Sequence, residues 1–133
     1  MILETAFMCL ALNIYHEARH LPQDEQVAVA HVVLNRVNDD RFPGSVCEVV
    51  KEGGYSRRYQ CQFSWYCDGK VDTPYEKDAW EDARRSAAVA LTVADPTGGA
   101  LFYRAAWRAP TGWWQTLKVV YADKGHVYYI SSD

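Results

Sequence analysis

The first twenty residues constrain the fold most, because they combine a broad apolar helical face with an acidic residue near its end. Apolar side chains recur at helical spacing, at Leu3, Phe7, Leu10, Ala11 and Ile14. The pattern predicts a helix from about Leu3 to Arg19, and Pro22 prevents it from continuing much further. A helix with so wide an apolar face must pack against other elements, so the chain is expected to fold around it.

Glu17 lies in the last turn of this predicted helix. A carboxyl group there is partly desolvated and lies near the negative end of the helix dipole, and both effects raise its pKa. A carboxylic acid that keeps its proton near neutral pH is suited to act as the general acid in glycosidic bond cleavage. The alternative interpretation is a solvated surface charge, which is the common case for Glu. The long apolar run beside Glu17 favours the first interpretation.

Composition limits the classes of protein that need to be considered. With 133 residues, 49% of them hydrophobic, the chain suits a single domain over 1–133. The net charge of −3 argues against a nucleic-acid binder. Five Trp and nine Tyr exceed the needs of so small a core, which indicates stacking on sugar rings or a partner surface. We expect no membrane insertion and no ordinary cleaved signal peptide, since the first residues lack a basic region and a cleavage site.

Three more helices are predicted. The second runs from Gln23 to Val37, and the third opens at the capping box of Ser45 and ends at Gly53-Gly54. The fourth begins at Thr73-Pro74-Tyr75-Glu76 and continues to about Val93. Apolar spacing assigns inward positions to Val27, Ala30, Leu34 and Val37 in the second helix, and to Trp80, Ala83, Ala87 and Leu91 in the fourth.

The period changes after the fourth helix. Ala100 to Tyr103 is short and extended, and Leu117 to Tyr121 and His126 to Ile130 flank a turn that predicts a hairpin. The fold class is therefore α+β, a mainly helical body with a small β-hairpin or sheet. The stretch Gly54 to Asp72 has no period, and loops of that length are often functional.

The four cysteines permit two disulfides, and the sequence does not choose among the pairings. Cys61 and Cys67 share one loop and are as consistent with a local bridge as with free thiols. For Cys9 an inert buried thiol is the expected state. Because Cys-x-x-Cys and paired His spacings do not occur, we predict no metal site and no cofactor.

Several short motifs follow one another along the chain. They are Tyr15-His16-Glu17-Ala18-Arg19, Gln26-Val27-Ala28-Val29-Ala30, Val33-Leu34-Asn35-Arg36-Val37, Phe42-Pro43, Cys61-Gln62-Phe63-Ser64, Asp95-Pro96-Thr97-Gly98-Gly99-Ala100-Leu101-Phe102-Tyr103 and Gly125-His126-Val127-Tyr128-Tyr129. As an ordered set they resemble the SleB/CwlJ-type cell-wall hydrolases, the spore cortex-lytic enzyme family. The resemblance implies a lysozyme-like catalytic domain that binds and cuts peptidoglycan glycan strands, with Glu17 as the catalytic acid.

The resemblance also implies the reaction of a lytic transglycosylase, in which one carboxyl protonates the leaving oxygen and the muramic acid 6-hydroxyl closes a 1,6-anhydro ring. A muramidase reaction would need a second carboxylate. Relatives commonly carry a second Glu where this chain has Leu21. Its absence favours the one-carboxylate mechanism and leaves open a less active protein. Asp24 and Glu25 are nearby, but we expect them to cap the second helix.

Further substrate contacts are expected in the long loop and at the strands. Gln62 and Ser64 are predicted to face the sugar, with Gln62 bonding an N-acetyl group or hydroxyl. Phe63 either lines the groove or anchors the loop in the core, and the core is favoured. Trp65, with its neighbour Tyr66, is a candidate for sugar stacking.

Tyr103 is expected to hydrogen-bond either substrate or Glu17, and His126 either stabilises charge or holds the fold, the second being favoured. Arg36 complements the dipole of the second helix, and Arg19 is expected to form a surface ion pair. The indoles near Pro110-Thr111-Gly112 are either groove walls or an exposed patch; they are Trp107, Trp113 and Trp114.

Two other functions remain open at this point. A peptidoglycan amidase would normally need zinc, and the four histidines do not form a convincing ligand set. A non-catalytic peptidoglycan-binding module would explain the missing second Glu. We expect a monomer that acts on the cell wall, either a phage endolysin released by a holin or a bacterial remodelling enzyme.

Overall fold

The computed structural model describes residues 4–52 and 61–131. Within these ranges, four α-helices precede three strands, and two short 3-10 turns occupy Ser64–Cys67 and Gly112–Thr116. The elements are α1 (Ala6–Ala18), α2 (Gln23–Val37), α3 (Val46–Val50), α4 (Lys77–Ala90), β1 (Phe102–Ala105), β2 (Lys118–Ala122) and β3 (His126–Ile130). The predicted α+β class is confirmed. Within the described ranges, no helix is long and apolar enough to cross a bilayer.

Helix α1 is buried along most of its length, as its apolar face predicts. Leu10, Ile14 and Tyr15 are fully buried. The helix begins after Thr5, whose side chain accepts a hydrogen bond from the backbone N–H of Met8. Because the helix packs against α2, α3 and α4, its last turn is held inside the helical body.

Helix α2 spans the predicted range and is buried on two sides, because it separates two parts of the core. One side packs against α1 and α4, and the other packs against the sheet. The first side carries Val27, Ala30 and Val33, and the second carries Ala28, Val29 and Val32. This central position brings its last turn close to β1.

Helices α3 and α4 differ from their predicted bounds. The capping box is confirmed at Ser45, whose hydroxyl accepts from the N–H of Glu48, but α3 ends at Val50. The predicted end at Gly53-Gly54 lies outside the described residues. Helix α4 begins at Lys77, because the Glu76 N–H donates to the Tyr15 hydroxyl at 3.0 Å and not to Thr73, the cap of the predicted box.

The C-terminal end of α4 was also predicted too late. The helix ends at Ala90, and Leu91, predicted to face inward, is 51% exposed because it lies at the helix end. Ala83 and Ala87 are buried as predicted, and Trp80 packs at the edge of the core.

The three strands form one antiparallel sheet in the order β1-β3-β2. The predicted hairpin is confirmed as β2 and β3, with a bulge between Val119 and Tyr121. Tyr103 of β1 lies opposite Tyr128 of the central strand. The sheet packs on α2, so β1 presents Tyr103 to the end of α1.

The prediction that Asp24 and Glu25 cap α2 is wrong. Neither side chain makes a capping hydrogen bond, since Pro22 is at the cap position. Glu25 is instead buried, and its carboxylate accepts a hydrogen bond of 3.0 Å from the N–H of Gly125 at the hairpin tip. The contact ties the hairpin to the start of α2.

All four cysteines are paired. Cys9 bonds to Cys47, with Cα atoms 5.2 Å apart, so the expectation of an inert thiol at Cys9 is wrong. The pairing depends on a contact between α1 and α3 that the sequence does not reveal. Cys61 bonds to Cys67 across a separation of 6 residues, which settles the open alternative in favour of the local bridge.

Candidate active site

Glu17 is half-buried in the last turn of α1, where its carboxyl meets β1. The Tyr103 hydroxyl donates to Glu17 Oε1 at 2.9 Å. Burial raises the pKa of Glu17 above its ordinary value, while the Tyr103 hydrogen bond and the charge of Arg36 lower it in part. The net direction is upward, so the group holds its proton at a higher pH than an exposed Glu does. The predicted direction is confirmed.

Tyr103 is a permanent donor at this site. Burial and the neighbouring Glu17 carboxylate both raise the pKa of the phenol well above its ordinary value. Its ring contacts the His126 ring edge-on, with centroids 5.0 Å apart. Of the two predicted partners, the structure places Glu17 at the hydroxyl.

Arg36 is a member of the site that the sequence interpretation missed. It is only 2% exposed, and its Nε donates to the Leu101 carbonyl at 2.8 Å. Aromatic rings of Phe42, Phe63 and Phe102 surround the guanidinium, between 5.1 and 5.5 Å from its carbon. The charge of Arg36 therefore acts on the Glu17 carboxyl in surroundings of low dielectric constant. This role goes beyond the predicted interaction with the dipole of α2. The available signal in the sequence was an arginine among the apolar residues of the second predicted helix.

Glu17 lines three neighbouring cavities, so the surface is concave on more than one side of it. The largest, about 420 Å³, also contains Tyr103, His126 and Trp114. The second, about 170 Å³, contains Arg36, Gln62, Phe63, Phe102, Tyr103, Trp113 and Trp114. The third, about 340 Å³, contains His16, Arg19, Ser64, Trp65, Asp68, Lys70, Val71, Asp72 and Tyr75. Such an arrangement is that of a groove with the acid inside it.

The predicted loop residues are divided between this groove and the core. Gln62 and Ser64 are exposed and line the second and third cavities respectively. Phe63 is 3% exposed and belongs to the core, which confirms the favoured interpretation. Its ring nonetheless forms one wall of the second cavity.

Trp65 does not present a free face for sugar stacking. It is 8% exposed, its ring stacks on His16 with centroids 4.4 Å apart, and its Nε1 donates to Asn13 at 2.9 Å. The structure therefore assigns Trp65 to the core, which corrects the stacking prediction. His16, whose Nε2 lies 2.9 Å from the Asp72 carbonyl, contributes to this packing.

The exposed indoles of the groove come from the segment between β1 and β2, while the exposed Tyr75 of the third cavity precedes α4. Trp107 is 81% exposed and lines the largest cavity, while Trp113 is 53% exposed and lines the second. Trp114 lines both and packs against Tyr129. The structure therefore supports the interpretation of these three indoles as walls of the groove.

His126 and Arg19 have mainly structural surroundings. His126 is 8% exposed beside Tyr103, and burial lowers its pKa, so it is neutral near pH 7. Its Nδ1 is buried and has no hydrogen-bond partner among the residues described. Arg19 pairs with Glu76 at 2.9 Å, as predicted.

Comparison with known proteins identifies the family. The model of the cell wall hydrolase family matches residues 21–129. The chain belongs to this family. A spore cortex-lytic enzyme of Halalkalibacterium halodurans is 38% identical over 104 residues, which are 78% of this chain and 28% of that protein. One of Oceanobacillus iheyensis is 33% identical over 120 residues, 90% of this chain and 39% of that protein. The chain thus spans about a third of the length of these relatives.

Two solved structures share the fold. The catalytic domain of the germination-specific lytic transglycosylase SleB from Bacillus anthracis superposes with a TM-score of 0.74 at 30% identity, covering 97% of each chain. The catalytic domain of the Bacillus cereus SleB protein gives a TM-score of 0.73 at 32% identity, covering 94% of this chain and 89% of that one. The chain therefore has the fold of these SleB catalytic domains, which is the fold that the resemblance predicts.

In this cell wall hydrolase, the other acids of the groove are Asp68 and Asp72, which line only the third cavity. Leu21, Asp24 and Glu25 line none of the three cavities that contain Glu17. Over 4–52 and 61–131, no three His, Cys, Asp or Glu side chains form a group that could hold a metal ion.

Proposed function

We propose that this cell wall hydrolase cleaves the glycan strand of peptidoglycan as a lytic transglycosylase, with Glu17 as its single acid and base. The observation that carries the proposal is a carboxyl of raised pKa, hydrogen-bonded to Tyr103, inside a groove with exposed indoles. The names of its relatives, spore cortex-lytic enzymes and a lytic transglycosylase, support the same reaction.

In the first step the protonated Glu17 gives its proton to the glycosidic oxygen, and the bond from that oxygen to the muramic acid anomeric carbon breaks. In the second step the Glu17 carboxylate takes the proton of the muramic acid 6-hydroxyl while that oxygen bonds to the anomeric carbon. The products are a 1,6-anhydro end and a free 4-hydroxyl, and no water is consumed. A retaining hydrolase would need a second carboxylate about 5 Å away and an inverting one a base at roughly 6.5–9.5 Å.

Tyr103 and Arg36 prepare Glu17 for both steps. Because Tyr103 donates to Oε1, the acidic proton is placed on the other oxygen, which is free to face the substrate. After proton transfer, the buried charge of Arg36 stabilises the new carboxylate. Both residues act through Glu17 and are positioning residues in this reaction.

The test is Glu17→Gln assayed on purified sacculi, with the exposed Glu81→Gln on α4 as the matched control. We expect the Glu17 variant to lose turbidity clearance and the Glu81 variant to keep it. Mass spectrometry of wild-type products should give anhydro-muramic ends. Reducing ends would instead indicate hydrolysis, and clearance by Glu17→Gln would remove Glu17 from the mechanism.

The same assay separates the two other functions. A zinc amidase would lose activity with a chelator and release peptides, while free glycan products that persist with chelator exclude it. A binding module would sediment with sacculi and release no soluble fragments. No feature of the groove favours either over glycan cleavage.

We also propose that the chain acts as a monomer at the cell wall, outside the cytoplasm. The groove is built by residues of one chain, and the two disulfides fit an oxidising compartment. Light scattering at working concentration should give the mass of one chain, 15.2 kDa. Free thiols in protein recovered from the producing cells would contradict this location.

A further inference from the structure

The largest cavity beside Glu17 carries more positive than negative charge, although the chain as a whole has a net charge of −3. Two guanidinium groups, those of Arg104 and Arg108, line it. Among the described residues its one carboxyl is that of Glu17, whose pKa is raised by burial. An excess of cationic donors in a cavity is the arrangement that selects an anionic ligand group.

Arg104 is held in place by the protein. Its Nε donates to the Tyr129 hydroxyl at 3.1 Å, and its Nη1 donates to the carbonyls of Ala105 and Arg108. These bonds use two of the three guanidinium nitrogens and fix the chain that follows β1. The Nη2 atom makes no hydrogen bond within the described residues, so it is left as a donor on a rigid side chain.

Arg108 is exposed, and its guanidinium lies 5.2 Å from the centre of the Trp107 ring. It forms no ion pair with any acid among the residues described, whereas Arg19, Arg41 and Arg85 each do. Stacking on an indole orients the planar group without using its hydrogen-bond donors. Trp107 also offers a ring face on which a sugar ring can stack, so an apolar contact from Trp107 and a cationic contact from Arg108 lie side by side.

We propose that Arg104 and Arg108 recognise a carboxylate borne by the glycan strand, so that strands carrying free carboxylates are the preferred substrates. The inference rests on the proposed function. Muramic acid bears carboxylates in two forms: the lactyl group where the peptide is absent, and the stem peptide where it is present. Both offer the planar acceptor that a guanidinium binds through two parallel hydrogen bonds.

The test uses sacculi free of teichoic acid, before and after carbodiimide coupling of methylamine, which neutralises carboxylates and leaves the glycan intact. Wild type should show a KM for untreated sacculi about fivefold lower than for amidated sacculi, with similar kcat. A fivefold change in KM corresponds to the free energy of an exposed ion pair. Arg108→Gln should show the higher KM on both substrates. Arg85→Gln, which removes an exposed arginine of α4 outside the groove, should behave as wild type.

A second pair of substrates separates the two carboxylate sources. Amidase-stripped strands retain only the lactyl carboxylate, so a low KM on them assigns recognition to that group, and a raised KM assigns it to the stem peptide. Equal KM values for untreated and amidated sacculi in wild type, with anhydro products still formed, would overturn this inference and leave the proposed function intact. Clearance by Glu17→Gln would overturn the proposed function itself.

Discussion

Replacing Tyr103 with Phe tests how the protein sets the pKa of Glu17, the proposed catalytic acid. The substitution removes the hydroxyl that donates to Glu17 Oε1 at 2.9 Å and keeps the ring that packs against His126 and Tyr128. This hydrogen bond favours the ionised carboxylate and opposes the effect of burial. Its removal leaves burial less opposed, so the pKa of Glu17 should rise further.

The size of the rise follows from the strength of the contact. A hydrogen bond to a charged group contributes about 1.5–3 kcal/mol. Glu17 is half-buried and water can partly replace the lost donor, so the lower end applies. Since one pKa unit corresponds to about 1.4 kcal/mol, the expected rise is about one unit.

The assay is kcat/KM against pH for wild type and Tyr103→Phe, with Tyr121→Phe on the edge strand β2, two strands away from Tyr103, as the control. The alkaline limb, which reports loss of the acidic proton, should move up by about one pH unit in Tyr103→Phe. It should stay in place in Tyr121→Phe. An alkaline limb that stays put or moves to lower pH in Tyr103→Phe would refute the assignment of Tyr103 as the group that lowers this pKa.

Three other outcomes are expected. Glu17→Gln should be more stable than wild type at neutral pH. Wild type loses stability as pH rises from the unfolded pKa of 4.5 through the raised folded pKa, by about 1.4 kcal/mol for each unit by which these two pKa values differ. Urea titrations at pH 4 and pH 8 check this. Glu25→Ala should lower the unfolding free energy by about 1 kcal/mol, since the Gly125 N–H loses one of its two acceptors and keeps Asp123 Oδ1; thermal melts measure it. Leu21→Glu should not raise kcat, because residue 21 packs beside Glu25 at the hairpin tip, outside the groove; a kcat several-fold higher would show that a second carboxylate matters.

The periodicity of apolar residues was sufficient to predict the bounds of helix α2 and the position of the hairpin. Helix α2 and strand β3 have their predicted bounds, because apolar spacing and a short turn encode them locally. The start of α4 was wrong because a local capping signal at Thr73 is overridden by a contact 61 residues away, from the Glu76 N–H to Tyr15. Local rules carry no information about such a partner.

The candidate site was predictable only in part, for the same reason. Glu17 could be found because its place in the last turn of an apolar helix is encoded locally. The sequence predicts Arg36 only as a charge at a helix end, since its proximity to Glu17 depends on how α2 crosses α1. It predicts Trp65 as a sugar contact, since it does not reveal that His16 covers the Trp65 ring.

A single carboxyl that serves as acid and then as base, as proposed for Glu17, needs opposing effects on its pKa, and each comes from a different element. Burial at the end of α1 makes Glu17 hold its proton, which the first step requires. Tyr103 from β1 and Arg36 from α2 stabilise the carboxylate, which the second step requires. With burial alone the acid would release its proton too slowly, and with the two partners alone it would be ionised before substrate arrived. Packing β1 and α2 against the last turn of α1 is therefore what allows one residue to perform both halves of the proposed reaction.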